Sequence, residues 1–323
     1  MSKFIKITLG IAISILCLWL AFRNLDIAAV IGSIAHADYR FIIGSVIIGV
    51  ASLALRCFRW RIIGRDKYAS VPWIIFFKAT NMGLMLNTFV PMRGGDLFQA
   101  YTLSKKANIP KSYALSTVMI ERLVDLCPPA LIIIISSLFI ALPESITAAR
   151  MVVIVAVATA LLIFVVIFGR RLARFTEKFI AAHHSAKIQS LIDNFISGLE
   201  LIKSPSVVSK VAVLTVFQWS LAALGAYLAL EALGIHLNFF ASYTVLAVTV
   251  LSVALPSSPG YVGIWEFFSM MALGIFGVEK HLAAGFAVVY HFLSLLPTTS
   301  IGLYYLLKDI SSFRDSRKEE PAS

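Results

Sequence analysis

This sequence of 323 residues has few charged side chains, few cysteines and no common motif for nucleotide, metal or nucleophile chemistry. Charged residues make up 14% of the chain, against roughly 25% in soluble globular domains, which argues against a soluble protein. There is no GxxxxGKS/T, HExxH or GxSxG pattern, which argues against ATP-driven pumping and common hydrolase mechanisms. We expect no enzyme activity, no cofactor and no metal.

Three cysteines, Cys17, Cys57 and Cys127, lie in or beside apolar runs. An odd number in such places predicts neither a disulfide framework nor a metal cluster. We therefore expect them to be small core residues.

Long apolar runs dominate the sequence. Hydrophobic residues make up 59% of the chain, and several runs have the roughly 17 to 25 residues that cross a bilayer as an α-helix. We predict an all-α polytopic membrane bundle of about eight membrane segments, some broken or re-entrant. A single membrane domain is expected over residues 1–310, beginning with an uncleaved first span at 4–22 and followed by a polar cytoplasmic tail at 311–323.

The net charge of +11 is concentrated between apolar runs, which favours a role in membrane orientation over nucleic-acid binding. The first basic cluster comprises Arg56, Arg59, Arg61, Arg65 and Lys67. A second cluster lies within residues 170–178. Because positive loops are retained in the cytoplasm, both clusters and both termini are expected there, in a multi-pass protein of the cell membrane.

Counting crossings predicts a re-entrant segment. Residues 73–90, 112–140 and 149–168 are apolar and separate the two basic clusters, and three complete crossings would place the second cluster outside. Residues 73–90 carry the most polar side chains and precede a proline, so we predict a re-entrant region at 73–96 that enters from the cytoplasm. The alternative is that residues 112–140 divide at a Pro-Pro pair.

A second interrupted region is predicted at residues 240–277, where Pro-Ser-Ser-Pro-Gly joins two short apolar pieces. We expect a hairpin that enters from the outside. Aligning Pro91 with Pro256 places Gly95 on Gly260, which indicates a possible inverted repeat of the transporter type. Independent origin of the two breaks is the alternative.

Residues 170–204 show apolar side chains at spacings of three and four with polar residues between them. This periodicity predicts an amphipathic helix on the cytoplasmic membrane surface. His183 and His184 within it point about 100° apart, so we expect solvated histidines and no metal site.

Five ionisable residues stand out within or beside apolar sequence. They are Arg93, Asp96, Glu121, Arg122 and Asp125. Charged side chains within a bilayer cost several kcal/mol unless they face one another or a wet cavity. The set holds two positive and three negative charges, so a spare carboxylate could bind a proton or a moving cation. The alternative is an ion-pair network that only fastens neighbouring helices.

The first break is chemically suited to an anion such as a phosphate headgroup. Arg93 offers a planar fork for phosphate oxygens, Gly94 and Gly95 let backbone N–H groups approach closely, and Asn87 lies in the same break. Alternatively, the glycines only permit a turn, while Asp96 caps the helix and pairs with Arg93. In the second break, Pro256, Pro259, Gly260 and Gly263 are expected to interrupt the helix. The carboxylate of Glu266 is expected to form an ion pair or to take part in coupling.

Three motifs resemble the membrane region of lysylphosphatidylglycerol synthases and related flippase-like proteins. They are Asn87-x3-Pro91-x-Arg93-Gly94-Gly95-Asp96, Glu121-Arg122-x2-Asp125 and Leu255-Pro256-x2-Pro259-Gly260-x2-Gly263-x2-Glu266. The resemblance spans nearly the whole chain and implies translocation of a lipid between leaflets. Arg93, Asp96, Arg122 and Glu266 are carried over as motif positions. The soluble synthase domain is expected to be missing, so aminoacyl transfer is not implied.

The sequence thus predicts a translocase for a phosphate-bearing lipid, such as an anionic phospholipid or a polyprenyl-linked lipid. One alternative is a non-transporting accessory subunit that partners a separate lipid-modifying enzyme. Another is a membrane glycosyltransferase that uses Asp26 and Asp38, in the loop predicted to lie outside, as a base or metal ligands.

Overall fold

A computed structural model describes residues 3–90, 94–138, 193, 194, 197, 204–253, 255 and 257–318. Within these ranges the chain is helical and contains no strand. The helices are α1 (Lys3–Phe22), α2 (Ile27–Ala35), α3 (Tyr39–Ile63), α4 (Arg65–Ala69), α5 (Trp73–Phe89), α6 (Gly94–Ala107), α7 (Lys111–Ser137), α8 (Pro205–Ala232), α9 (Phe239–Ser252), α10 (Ile264–Ile275) and α11 (Lys280–Lys318). This confirms the all-α prediction.

Three of the described helices are long and apolar enough to cross a membrane: α3, α8 and the part of α11 that ends at Ile310. The end of α1 and α2 form a further candidate, a pair bent by 85°. These helices agree with a multi-pass membrane protein. The amphipathic helix at 170–204, apart from a few positions, the second basic cluster and the paired histidines lie outside the described residues.

Polar side chains set the starts of several helices. The carboxylate of Asp26 accepts hydrogen bonds from the N–H groups of Ala28 and Ala29 at the start of α2. Asp38 accepts the N–H of Arg40 at the start of α3. Such N-caps satisfy backbone donors that have no partner within the helix. Asp26 and Asp38, considered above as catalytic or metal-binding residues, therefore act as helix caps here.

Helices α5 and α6 form an antiparallel hairpin around a close glycine contact. A methyl group at Gly95 would fall on the carbonyl oxygen of Gly83 and beside the backbone of Asn87, and a methyl group at Gly83 would lie against Gln99. Glycine at these positions lets the two backbones approach each other. Within the described residues, the region predicted to be re-entrant is thus a pair of packed helices, of which one ends at Phe89 and the other begins at Gly94.

A second hairpin is formed by α9 and α10, whose Thr249 and Ser269 hydroxyls lie 3.1 Å apart. Its tip is irregular, with a short 3-10 turn at Pro259–Tyr261 and positive φ angles at Gly260 (74°) and Gly263 (91°). L-residues rarely adopt such angles, so these glycines allow the chain to turn back. The carbonyl of Ser14 in α1 lies against Gly263, and the Ser14 hydroxyl accepts the N–H of Ser258.

Helix α7 runs through Pro128 and Pro129 without a break in the helix. The alternative in which residues 112–140 divide at this pair does not agree with the described part of that segment. Helix α11 contacts both hairpins. Gly302 packs against Asn81 of α5, and His291 contacts Glu266 of α10. Two apolar cores result, one around α8 to α11 and one around α3 to α7.

Candidate functional site

A buried ionic cluster joins α3, α6 and α7. Arg56 binds Glu121 at 3.1 Å and Asp125 at 2.6 Å. Arg59 binds Asp125 at 2.5 Å and lies 3.5 Å from Glu121. The side chains of Arg59 and Glu121 have no exposed surface, so these charges depend on one another for stabilisation.

Arg122 connects this core to the first hairpin. Its guanidinium lies 2.9 Å from Asp96 and 3.7 Å from Asp125. Three arginines therefore meet three carboxylates, and the described part of the cluster is balanced in formal charge. The spare carboxylate predicted from the sequence is not found among these residues, because Arg56 and Arg59 were missing from that count.

The placement of Arg56 and Arg59 corrects the sequence analysis, which assigned both to a cytoplasmic loop. They lie on the inner face of α3, where i, i+3 spacing aligns them with the carboxylates of α7. Arg61, by contrast, donates to the backbone carbonyls of Tyr68 and Ala69, as a residue near the end of α3 can.

Amide side chains extend the cluster towards the hairpin tip. Asn87 Nδ2 donates to Asp96 at 2.8 Å, and Gln99 accepts from Arg122 at 3.0 Å. Gln99 also lies 3.4 Å from Thr80 and from Glu121. Sequence reasoning missed Thr80 and Gln99. The available signal was the position of Gln99, one turn after Asp96 on the same helix face.

Asp96 lies in the first turn of α6, and its described partners are Asn87 and Arg122. Pro91 and Arg93 lie outside the described residues, so the predicted Arg93–Asp96 pair and the anion site at Arg93 stay predictions. Gly94 and Gly95 begin α6, as expected for a helix that starts at the break. Pro256 in the second break also lies outside the described residues.

Glu266 has partners different from those of the first cluster. One carboxylate oxygen accepts the N–H of Gly263 at 2.6 Å, and the other lies 2.6 Å from His291 Nδ1. Sequence reasoning missed His291. The available signal was a lone histidine within the apolar run at 282–307, since ionisable residues in such runs are commonly functional.

The tips of the two hairpins meet. The hydroxyl of Tyr261 donates to the carbonyl oxygen of Asn87 at 3.4 Å, and Gly260 lies beside Thr88. Described residues at the two breaks are therefore neighbours, although more than 160 positions separate Asn87 from Tyr261 and Thr88 from Gly260. On the side of the first hairpin, Asn87 connects this contact to the ionic cluster of Asp96, Glu121, Arg122 and Asp125. On the side of the second hairpin, Gly263 connects it to Glu266.

An apolar cavity of about 550 Å³ lies beside the ionic cluster. Leu131 and Ile135 of α7 and Val211 and Val216 of α8 contribute to its lining. Thr215, a polar residue in the lining, accepts a hydrogen bond from Arg59 at 3.1 Å. Within the described residues, no group of three or more His, Cys, Asp or Glu side chains could hold a metal ion.

The comparisons with known proteins agree with a multi-pass membrane protein. The family model described as the lysylphosphatidylglycerol synthase TM region matches residues 7–302. The UPF0104 membrane protein MJ1595 of Methanocaldococcus jannaschii is 22% identical over 324 residues, which cover 94% of this chain and 95% of that protein. MJ1078 of the same organism is 24% identical over 237 residues, covering 70% of this chain and 95% of that protein.

A longer relative is named as an enzyme. The glycosyltransferase AglD of Haloferax volcanii is 23% identical over 330 residues, which cover 90% of this chain and 52% of that protein. The chain thus spans about half the length of this relative. Because the family model matches nearly the whole chain, the protein belongs to the family of the lysylphosphatidylglycerol synthase transmembrane region.

Proposed function

We propose that this membrane protein moves a phosphate-bearing lipid between leaflets and performs no covalent chemistry. The observation that carries the proposal is the contact between the two hairpin tips at Asn87 and Tyr261. Irregular backbone inside a membrane protein is tolerated where it is buried in protein or lines a polar cavity. The end of α5 lies beside the irregular tip of the second hairpin and close to buried ions. This arrangement suits a path for a polar headgroup.

The first tip offers complementary groups for that headgroup. Arg93, with the N–H groups at the start of α6, would bind phosphate oxygens, as arginines and helix N-termini commonly do. The Oδ1 atom of Asn87 is buried and has no hydrogen-bond partner among the described residues. It would accept a hydrogen bond from a hydroxyl or ammonium group of the lipid.

The hydrocarbon tails need an apolar surface near the same place. The cavity between α7 and α8 is lined mainly by aliphatic side chains and reaches Thr215, which binds the ionic cluster. Its volume falls in the range of about 300–1,000 Å³ that is typical of ligand sites. This supports a lipid as the transported molecule over a small polar solute.

The proposal includes a topology. We place about eight segments in the cell membrane, both termini in the cytoplasm and the two hairpins as inverted-topology counterparts that enter from opposite sides. Hairpins with touching tips and their proline and glycine breaks support this arrangement, which alternating-access transporters use around a site at the repeat interface.

Lipid exchange in reconstituted vesicles tests the function. Wild-type protein should accelerate leaflet exchange of a labelled phospholipid or polyprenyl phosphate, and Arg93→Ala should lose most of that acceleration. Arg61→Ala, which removes an arginine bound only to backbone carbonyls in the described structure, serves as the matched control. Equal rates for wild type, Arg93→Ala and protein-free vesicles with every tested lipid would reject a translocase.

A second candidate is a membrane partner for lipid glycosylation. It is favoured by the relative named as a glycosyltransferase, of which this region forms only about half. In that case, co-purification with a separate enzyme should survive Arg93→Ala. A glycosyltransferase that used Asp26 would lose product formation on Asp26→Asn. Asparagine caps a helix about as well as aspartate, so a structural role predicts no change.

A further inference from the structure

Glu266 and His291 form a buried acid–histidine pair between α10 and α11. The Nδ1 atom of His291 lies 2.6 Å from one carboxylate oxygen of Glu266. His291 is 5% exposed and Glu266 is 6% exposed. A hydrogen bond this short between buried groups is strong, so it determines whether the shared proton lies on the histidine nitrogen or on the carboxylate oxygen.

This pair differs from the ionic cluster in what it can titrate. The carboxylates of Asp96, Glu121 and Asp125 face arginines, which stay protonated in proteins. Each of these carboxylates therefore has a permanent positive charge beside it. Glu266 faces a histidine, the side chain that changes charge most readily near neutral pH. Of these two sites, the Glu266–His291 pair is the one that can gain a proton without weakening a contact between an arginine and a carboxylate.

The second ring nitrogen of His291 is available for a proton. Its Nε2 atom is buried and has no hydrogen-bond partner among the described residues. The ring stacks on the indole of Trp265, with centroids 4.9 Å apart, and the Nε1 atom of Trp265 also lacks a partner there. Two such nitrogens on stacked rings are a polar position within an otherwise apolar core.

Apart from Glu266 and His291, the titratable side chains away from the ends of α1, α9, α10 and α11 are tyrosines and a cysteine. Tyr290 precedes His291 on α11, and Tyr261 in the turn donates to Asn87. Tyr243 of α9 donates to Ser220, and Cys17 belongs to α1. The charged residues of α11, such as Lys280 and Asp309, lie towards its ends. Glu266 is therefore the charged group whose contact with His291 decides the charge of the pair.

We propose that the Glu266–His291 pair binds the proton that is coupled to lipid movement, an inference that rests on the proposed translocase function. With Nδ1–H directed at Glu266, a hydronium ion from solvent gives its proton to Nε2. One O–H bond breaks, one N–H bond forms, water is left, and the ring becomes an imidazolium bound to a carboxylate. Loss of that proton restores a neutral ring and leaves one negative charge on Glu266. No other bond forms or breaks.

The pair is placed to pass this charge change to the hairpin tip. The second oxygen of Glu266 accepts the N–H of Gly263, the N-cap residue of α10. Gly263 adjoins the tip that touches Asn87 through Tyr261. A change of charge at His291 therefore changes the electrostatic interaction of Glu266, the carboxylate that binds the tip through Gly263. Glu266 thus connects proton binding to the proposed lipid path.

Lipid exchange measured as a function of pH tests the coupling. Wild-type exchange should change with pH by up to about tenfold per unit, the limit for one coupled proton, and His291→Gln and Glu266→Gln should flatten this response. His236→Gln is the matched control, because His236 forms the same type of pair with Glu231 at 2.9 Å but is exposed. The control should keep the wild-type profile.

Proton binding is measured separately from transport. Wild-type protein labelled with ¹⁵N-histidine should show a His291 signal, identified by its loss in His291→Gln. That signal should change protonation state over the same pH range in which lipid exchange changes. A pH-sensitive dye inside wild-type vesicles should report proton movement during lipid exchange, which needs no variant to fold.

The outcomes separate the two proposals. A titrating His291 in a protein that moves no lipid would reject the translocase and with it the coupling. Lipid exchange with a His291 signal that stays in one state would reject the proton site and leave the translocase. Exchange whose pH profile is the same in His291→Gln as in wild type, or exchange without proton movement, would reject the coupling.

Discussion

At the residue scale, Arg59 is a central contact of the buried ionic cluster, although its sequence position at the end of an apolar run suggests a loop residue. It binds Asp125, Thr215 and Glu121, and its side chain is fully buried. Removal of one partner from a buried ion pair leaves its counter-charges without compensation.

Arg59→Ala should therefore lower the free energy of unfolding by about 3–5 kcal/mol, measured by denaturant unfolding in detergent. Arg61→Ala, two positions along the same helix, should cost about 1 kcal/mol or less because it loses only bonds to backbone carbonyls. Equal losses for the two variants would show that the cluster does not stabilise the fold.

Single residues were also where sequence reasoning was weakest. Glu121, Arg122 and Asp125 stand out as charges within an apolar run, so their grouping was predictable. Arg56 and Arg59 end an apolar run, where a basic loop gives the same pattern, and only packing of α3 on α7 distinguishes the two cases. His291 forms no local motif with Glu266, since the two meet through the packing of α10 on α11.

At the element scale, each hairpin depends on small residues where its arms or tip pack closely. Proline and glycine in the sequence located both breaks, because these residues change backbone geometry wherever they occur. The path of α7 through Pro128 and Pro129 was less predictable. A proline removes one backbone donor, and the neighbouring helices determine whether the helix continues.

Gly95→Ala should destabilise the first hairpin. The added methyl group would meet the carbonyl oxygen of Gly83 and the backbone of Asn87, which cannot move aside without separating α5 from α6. We expect a loss of about 1–3 kcal/mol, typical of overpacking, measured by thermal unfolding in detergent.

Gly49→Ala is the matched control for this change. Gly49 lies within α3, and a methyl group there meets nothing within 4 Å. The substitution should leave stability unchanged or raise it by up to about 1 kcal/mol, through helix propensity alone. A Gly95→Ala variant as stable as Gly49→Ala would mean that the close approach of α5 and α6 is not needed.

At the scale of the whole molecule, the fold brings two distant parts of the chain to one point. α1 holds the second tip through Ser14, and α11 contacts both hairpins, at Asn81 and at Glu266. The sequence predicted two comparable breaks but could not predict that their tips touch, because this contact depends on the packing of helices far apart in the chain.

If lipid passes between the tips, fastening them together should stop exchange. Cysteines introduced at Thr88 and Tyr261, with the three natural cysteines replaced, would be joined by a short reducible cross-linker. Exchange in vesicles should fall to the rate of protein-free vesicles after cross-linking and return after reduction, because a locked tip contact cannot open for a headgroup.

Cysteines at Lys106 and Asp309, which form a 2.8 Å ion pair between α6 and α11, provide a control cross-link away from the tips that should leave exchange active. Full exchange with the tips joined would place the lipid path elsewhere in the molecule.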